Sequence, residues 1–302
     1  MEKVLKIYID GKKHDLIGNV SFTTNDDTNG EEMSFSSLSR YKNGNIVKVT
    51  DNKAVQFLGM IVRMSDPEKP PYDYTALDFS WNLGGDCLIQ FKEVRADDAL
   101  RQLFKKYGIT CNVCKIPTKI SKIYNDTIIN VAKDIMNLAY KDQGKRYYLE
   151  VRGTKVIVEE KKKKKIRPTF VIQDDGVIER SIEEMRNRVV VVNQGEKSMK
   201  ILAQADAKKS QKSYGIRQHN EDADDKTTKV KAQGQAKNML KQLNKQTNTK
   251  SVMLLVTKGA WSIRKNRLIY LKTKRLKGWY RIRSCTHEIQ GNTHKCTIEL
   301  EW

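Results

Sequence analysis

The sequence predicts an α+β protein: two antiparallel, barrel-like β domains flanking a small α/β domain. Three observations carry this. Runs with period-two alternation or dense β-branched content cluster in residues 1–86 and again in 166–302. Two stretches with apolar residues at helical spacing fall between them. Finally, the lysine run Lys161–Lys165, ahead of Arg167-Pro168, marks a boundary, because a block of like charge repels itself and stays solvated. The domains expected are therefore 1–86, 87–165 and 166–302, the last with a helix near 229–245.

The elements follow in order. Leu5, Ile7 and Ile9 alternate with Lys6 and Tyr8, and Asp10-Gly11 supplies a hairpin turn. Ile46, Val47 and Val49 form a short strand turned at Asp51-Asn52, and Val55–Met64 is a longer one. Asp66-Pro67 through Pro70-Pro71 interrupts the pairing, since proline cannot donate to a ladder. Tyr74–Trp81 resumes as a third strand. Asp97 and Asp98 open a helix carrying Leu100, Leu103, Phe104 and Tyr107, stopped by Gly108. A second helix over 126–142 bears Ile128, Ala132, Ile135 and Ala139 and ends at Gly144. Arg146–Val151 and Lys155–Glu160 form a hairpin around Arg152-Gly153-Thr154. Beyond the lysine run, Val189–Val192 is an apolar strand and 206–228 a polar loop. The helix from Lys229 to Lys245 places Val230, Ala236, Leu240 and Leu243 on one side. Val252–Val256, Leu268–Leu271, Trp279–Ile289 and His294–Trp302 complete the second β domain. The order of short, long and third strand in 46–79 recurs in 268–300, with Gly59 and Gly278 beside the long strands.

At 302 residues the chain can bury substantial cores, and its patterning is too regular for a disordered protein. No run of about 18 apolar residues is present, so no membrane-spanning helix is expected. Met1-Glu2-Lys3 leads into a strand without an apolar stretch, so no secretory signal is expected. An odd set of five cysteines argues for reduced thiols. The net charge of +21 is uneven: residues 1–100 sum to −4, 101–160 to +6 and 161–302 to +19. Such a balance implies an anionic partner or a need for solubility. Lysine outnumbers arginine and no arginine-rich motif occurs, which favours an acidic protein partner over nucleic acid.

Few constellations could carry chemistry. If Gly291-Asn292 turns the last hairpin, Gln290 pairs with Thr293, Ile289 with His294 and His287 with Cys296. Cys285, His287, His294 and Cys296 then share one strand face. Two thiols and two imidazoles are a sensible zinc or iron set. However, Cys-x-His-x6-His-x-Cys is no known finger spacing, and a packed interior face is the expectation. Cys111-Asn112-Val113-Cys114 does not follow a strand into a helix, as a redox motif of the thioredoxin kind requires. Asp78 could be a desolvated acid of the glycosidase kind, but the sequence offers no second carboxylate to pair with it. Glu221, Asp222, Asp224 and Asp225 lack the glycine and terminal glutamate of a calcium loop. No catalytic residues, no cofactor and no metal are expected.

The order of these residues also resembles a known family. "GNIVKVTDN", "FLGMIVRM" and "YDYTALDFSWNL", followed by "ADDALRQLFKKYGI", are similar to the tail and baseplate hub proteins of contractile phages and phage-tail-like bacteriocins. The group in question is the PBSX-type, XkdQ/YqbQ-like one, related to late control protein D. Downstream, "GKRYYLEVRGTKVIVEE", "IERSIEEMRNRVVVV", "SQKSYGIRQHNEDADD" and "GWYRIRSCTHEIQGNTHKCTIELEW" extend the resemblance over nearly the whole chain. Members carry a Trp-Ser-Gly near the N-terminus where this chain has Ser21 to Asn25. The resemblance implies two tail-tube-type domains in a homotrimer that joins the hexameric tube to the central spike. Its implied partners are other copies of itself, the tube and spike proteins, and the wedge and tape-measure proteins. Its implied location is the tail baseplate of a virion or bacteriocin particle, assembled in the host bacterial cytoplasm. Two rival functions are a basic nucleic-acid-binding protein and a tail-associated cell-wall hydrolase.

Overall fold

A computed structural model describes residues 5–15, 17–24, 30–65, 67–161, 164–194, 199–223 and 227–302. Met1, Glu2, Lys3, Asn25, Asp66, Lys162, Lys163, Asp224 and Asp225, named above, lie outside them. Seven strands open the chain: β1 (Leu5–Ile9), β2 (Lys12–His14), β3 (Ile17–Thr24), β4 (Glu31–Ser37), β5 (Ile46–Asp51), β6 (Ala54–Ser65) and β7 (Tyr72–Asp78). Asp10-Gly11 turns β1 into β2 with both residues at positive φ. The Asp10 carboxylate accepts from the Ile46 amide at 2.8 Å, tying that turn to β5. Alternation buries Ile7, Ile9, Phe22, Met33, Phe35, Val47, Val49, Phe57, Ile61 and Tyr74 in one core. Gly59 is required here, since a Cβ would stand 2.1 Å from the Leu77 carbonyl oxygen. The third strand ends earlier than its apolar content suggested. Asp78 accepts a hydrogen bond from the Ser80 amide and caps a 3-10 turn over Phe79–Gly84, which leaves Trp81 54% exposed.

The next stretch contains β8 (Asp86–Arg95), α1 (Ala96–Lys106), β9 (Cys111–Val113), β10 (Lys119–Thr127), α2 (Ile128–Gln143), β11 (Tyr147–Arg152) and β12 (Lys155–Glu160). In α1, Asp97 and Asp98 sit in the first turn, where negative charge suits the helix dipole. Burial alone would raise the pKa of Asp97, but hydrogen bonds from Arg101 and Arg95 outweigh it and hold the carboxyl below its usual range. Thr127 caps α2 and Gly144 ends it in the left-handed region, so the helix stops where the sequence indicated. Leu100, Leu103, Phe104, Val131, Ile135, Val156 and Val158 share a second core. The β8–β10 pair was not legible beforehand, because its partners are separated by α1 and β9.

The remainder comprises β13 (Lys165–Ile166), β14 (Thr169–Asp174), β15 (Ile178–Ser181), β16 (Arg188–Gln194), β17 (Met199–Asp206), α3 (Lys208–Tyr214), β18 (Gln218–Asp222), α4 (Lys229–Leu243), β19 (Thr247–Lys258), β20 (Leu268–Lys272), β21 (Lys277–Gln290) and β22 (Thr293–Glu301). The supposed loop at 206–228 therefore supplies α3 and β18. Strand β16 pairs antiparallel with β17 and parallel with β18, and α4 covers this small sheet. Val189, Val191, Ala203, Ala232, Ala236 and Met239 form its core. Val230, expected on the packed side of α4, is 84% exposed. Thr228 caps the Lys231 amide, so Val230 falls in the first turn, ahead of the Ala232–Ala236–Met239 stripe.

Most strands join one curled sheet, antiparallel except where β13 runs parallel to β20. Among the described residues it has 14 strands, running β14-β19-β22-β21-β3-β4-β7-β6-β5-β1-β2, with β15 also on β19 and β20 linking β13 to β21. Strand β21 does two jobs: Lys277–Arg281 pair with β20, whereas Cys285–Ile289 pair with β3. A bulge between Ile282 and Ser284 in its ladder with β22 accompanies the change of partner. One long strand thus sutures the first and last β regions, which keep separate cores. Strands β13 and β14 are consecutive, bent at Arg167-Pro168, and bond to β20 and β19 respectively. That bent segment closes the C-terminal strands on themselves.

Candidate functional site

The closing hairpin has the register read from sequence: Gln290 opposite Thr293, Ile289 opposite His294, His287 opposite Cys296. Cys285, His287, His294 and Cys296 lie together and all are buried. His287 and His294 pack against Trp261, which belongs to a short 3-10 turn, Ala260–Ser262. The His287 ring stacks on Trp261 at 5.5 Å and 28°, and His294 meets it edge-on at 5.1 Å. Trp261 in turn donates its Nε1–H to Asp51 Oδ2 at 2.8 Å.

Hydrogen-bond chemistry fixes the protons here. His287 Nε2 lies 2.8 Å from the Ile263 carbonyl oxygen, which can only accept, so Nε2 carries the hydrogen. His287 Nδ1, 2.9 Å from His294 Nε2, must then accept from it. Burial first, and repulsion from His294 second, drop the His287 pKa to about 3, so the ring is neutral. Burial also pushes the Cys285 thiol up to about 11 and raises Cys296 further. Metal ligation needs thiolates and a free imidazole nitrogen. Both His287 nitrogens are already engaged in hydrogen bonds. Among the described residues, no group of three or more His, Cys, Asp or Glu side chains is arranged to hold a metal.

Asp78 does have a carboxylate neighbour, which sequence reasoning missed. Its Oδ1 accepts from the Ser80 amide and its Oδ2 from the Glu31 amide, each at 3.0 Å. Burial raises the Asp78 pKa against these hydrogen bonds. Glu31, 6% exposed, is lifted to about 7, desolvation outweighing Arg264, whose Nη1 lies 3.5 Å away. The alternation of β4 signals this position, because Glu31 belongs to the inward set with Met33, Phe35 and Ser37. Both groups line a pocket of about 280 Å³ with Glu150, Arg152, Arg264 and Arg267. Arg267 grips Glu150 with two bonds of 3.0 and 2.9 Å, and Arg264 donates to the Gln56 carbonyl at 3.0 Å. The pocket thus joins β4 and β6 to β11 and to the segment before β20. Its carboxylates face arginines and backbone amides, an arrangement suited to holding three regions together. A glycoside hydrolase commonly needs two carboxylates flanking the bond to be cleaved in a groove that admits the sugar.

The other candidates are dispersed. Cys111 and Cys114 begin and follow β9, half-buried, and burial raises both thiols, the opposite of nucleophile activation. Glu221, on β18, pairs with Lys141 of α2 and lies 3.4 Å from His219 Nε2. It helps bind the two helical units, as do Tyr140 Oη donating to the Asn238 carbonyl at 3.0 Å and Asn238 Nδ2 donating to the Lys141 carbonyl at 3.2 Å.

With this geometry in view, known proteins offer a frame. A family model described as YqbQ-like matches residues 9–301. No curated protein matches the sequence at a significant level. Among solved structures, the chain is similar to the 43 kDa tail protein of prophage MuSo2 from Shewanella oneidensis. That match has a TM-score of 0.74 and 11% identity over 99% of this chain and 98% of that one. It is similar to the tail protein from Neisseria meningitidis MC58, with a TM-score of 0.69 and 13% identity over 100% and 96%. A more distant likeness is to the E. coli c3393 protein, a type VI secretion component with structural similarity to the T4 tail proteins gp27 and gp5. There the TM-score is 0.51, with 6% identity over 97% of this chain and 76% of that one.

Proposed function

The chain belongs to the YqbQ-like family and has the fold of prophage tail proteins, and from that premise we propose that it is the structural hub of a contractile tail or tail-like bacteriocin baseplate. In this reading it is a homotrimer that adapts the hexameric tail tube to the central spike. Residues 1–86 and 166–302 contribute two tube-like domains, and residues 87–165 lie outside the ring. Its neighbours are the tube, spike, wedge and tape-measure proteins, and it is placed in the baseplate after assembly in the host cytoplasm.

The observation that carries the proposal is the repeated meander. β5–β6–β7 and β20–β21–β22 are each three consecutive antiparallel strands, joined into one sheet through β3 and β21. Three chains therefore present six such units, the number that a hexameric ring requires. Closing a ring would also cover the strand edges that an open sheet exposes. The role is mechanical and non-enzymatic. Pure protein is expected to leave peptidoglycan intact, and turnover abolished by Asp78→Asn would refute that. The deciding experiment is a particle reconstruction at the hub layer. Threefold symmetry with both strand groups in the ring is expected; six copies per layer, or chains only at the tail periphery, would overturn the reading.

A further inference from the structure

The bent segment that closes the C-terminal strands brings together three stretches of chain. Lys165 pairs with Leu268, Thr169 with Lys258, and Lys272 with Lys277 at the end of the β20–β21 hairpin. Residues 164–172, 256–259 and 268–284 contain no aspartate or glutamate. Lys165, Arg167, Lys258, Lys272, Lys274, Arg275 and Lys277 are all exposed there. By contrast, the exposed Arg101, Lys122 and Arg152 each have a carboxylate partner. An uncompensated cluster of this density repels itself and is favourable only when an anion shares it.

The cluster is also shaped. A cavity of about 480 Å³ opens between Arg167, Pro168, Phe170, Tyr270 and Trp279. Lys165 Nζ sits 4.8 Å and the Arg167 guanidinium carbon 5.6 Å from the Trp279 ring centre, so the indole holds two cations at the cavity rim. Tyr270 packs edge-on against the same indole at 5.6 Å. The hairpin tip is fixed, with Thr273 Oγ1 accepting from the Arg275 and Leu276 amides.

We infer that this seam is a docking site for a carboxylate-rich protein segment on another component of the particle. Charge selects an anion, and the indole selects among anions. A single-stranded nucleic acid needs free aromatic faces on which bases stack, but Trp279 carries cations where a base would lie. A peptide with spaced carboxylates needs only the cations and an apolar trough. The inference rests on the tail reading for where its partner comes from, but the site can be tested on the free chain.

The probe is a fluorescent decapeptide of alternating glutamate and serine, titrated onto the full chain by anisotropy, with an oligothymidylate of equal charge as comparison. Neutralising Arg167, Lys272, Arg275 and Lys277 to glutamine is expected to weaken peptide binding at least about tenfold. Neutralising Lys12, Lys13, Lys105 and Lys133 should change it less than about twofold, and binding should fall as salt rises from about 50 to 200 mM. Should the fourfold variant unfold, the pair Lys274→Gln and Arg275→Gln at the exposed tip should give a smaller loss in the same direction. Equal losses in patch and control variants would overturn the site. Tighter binding of the oligothymidylate, lost in the patch variant, would overturn the choice of partner. Neither failure touches the hub reading, which the symmetry of the particle decides.

Discussion

The two meanders share a strand order but not an interior. In β5–β7 the inward positions are Phe57, Ile61, Tyr74 and Ala76, and the Tyr74 hydroxyl both accepts from the Tyr41 amide and donates to the Ser39 carbonyl. In β20–β22 the corresponding face mixes Ile282, Ile298 and Leu300 with Cys285, His287, His294 and Cys296. The glycines beside the long strands differ as well. Gly59 has no room for a side chain, whereas Gly278 is selected by a φ of +151°. The stretches of chain that carry the two meanders diverge further in charge, with −4 over residues 1–100 against +19 over 161–302. Strand alternation and turn placement therefore suffice for the shared architecture. An interior tolerates imidazoles when each donor finds an acceptor, and the surface charge is free to follow the partner.

The sharpest break in this comparison should come where the two groups meet. Phe22 is fully buried on β3 and touches Phe57 and Trp261 at ring distances of 5.8 and 5.2 Å. Phe22→Ala should cost about 3–5 kcal/mol in denaturant unfolding and loosen both groups. A loss confined to residues 1–86 by hydrogen exchange would show that the suture does not couple them.

The polar interior predicts a pH signature of its own. The His287 pKa falls from 6.5 unfolded to about 3 folded, so the unfolded chain binds the extra proton between those values. Stability should therefore be lost as pH drops from 6.5 toward 3, by on the order of 5 kcal/mol. His287→Gln should flatten that slope. Elemental analysis should find no stoichiometric zinc or iron; about one ion per chain, lost in His287→Ala, would replace the packed interior with a metal centre.

Glu31 gives the opposite and smaller slope. Its pKa is about 7 folded against 4.5 unfolded, so the folded state keeps a proton that the unfolded state releases. Its contribution should decline as pH rises from 4.5 to 7, by on the order of 3 kcal/mol. Glu31→Gln should thus raise Tm more at pH 8 than at pH 4, and equal shifts at both would contradict the assignment. Least of all, Val230→Ala should change stability by under about 0.5 kcal/mol, since the side chain is exposed. A larger loss would mean that Val230 packs as its helical position suggested.

Local signals made much of this legible. The Gly291-Asn292 turn and period-two logic placed Cys285, His287, His294 and Cys296 on one face, with the register then observed. Helix ends at Gly108 and Gly144 were readable for the same reason. The failures were non-local. β8 pairs with β10 across an intervening helix, and β18 pairs in parallel with β16 across β17 and α3, so neither has a turn to announce it. Glu31, Glu150, Arg264 and Arg267 converge on Asp78 from distant parts of the chain. Of the four, Glu31 alone carries a local signal, the alternation of β4, and the sequence reading passed it over. Trp81 and Val230 were misplaced because a side-chain cap, invisible in an apolar pattern, set the element boundary.

The β3–β21 ladder has a consequence for how the protein is made. Thr23 and Thr286, whose hydroxyls meet at 3.2 Å, are 263 positions apart. During synthesis β3 leaves the ribosome long before its second neighbour, β21, does. Until then one side of β3 lacks its ladder partner, and loop-closure entropy over that separation slows its capture. A chain interrupted before Cys285 would carry this edge permanently, available to pair with another copy. Capture of β21 is thus the step that covers this edge and turns an adhesive nascent chain into one whose sheet is continuous.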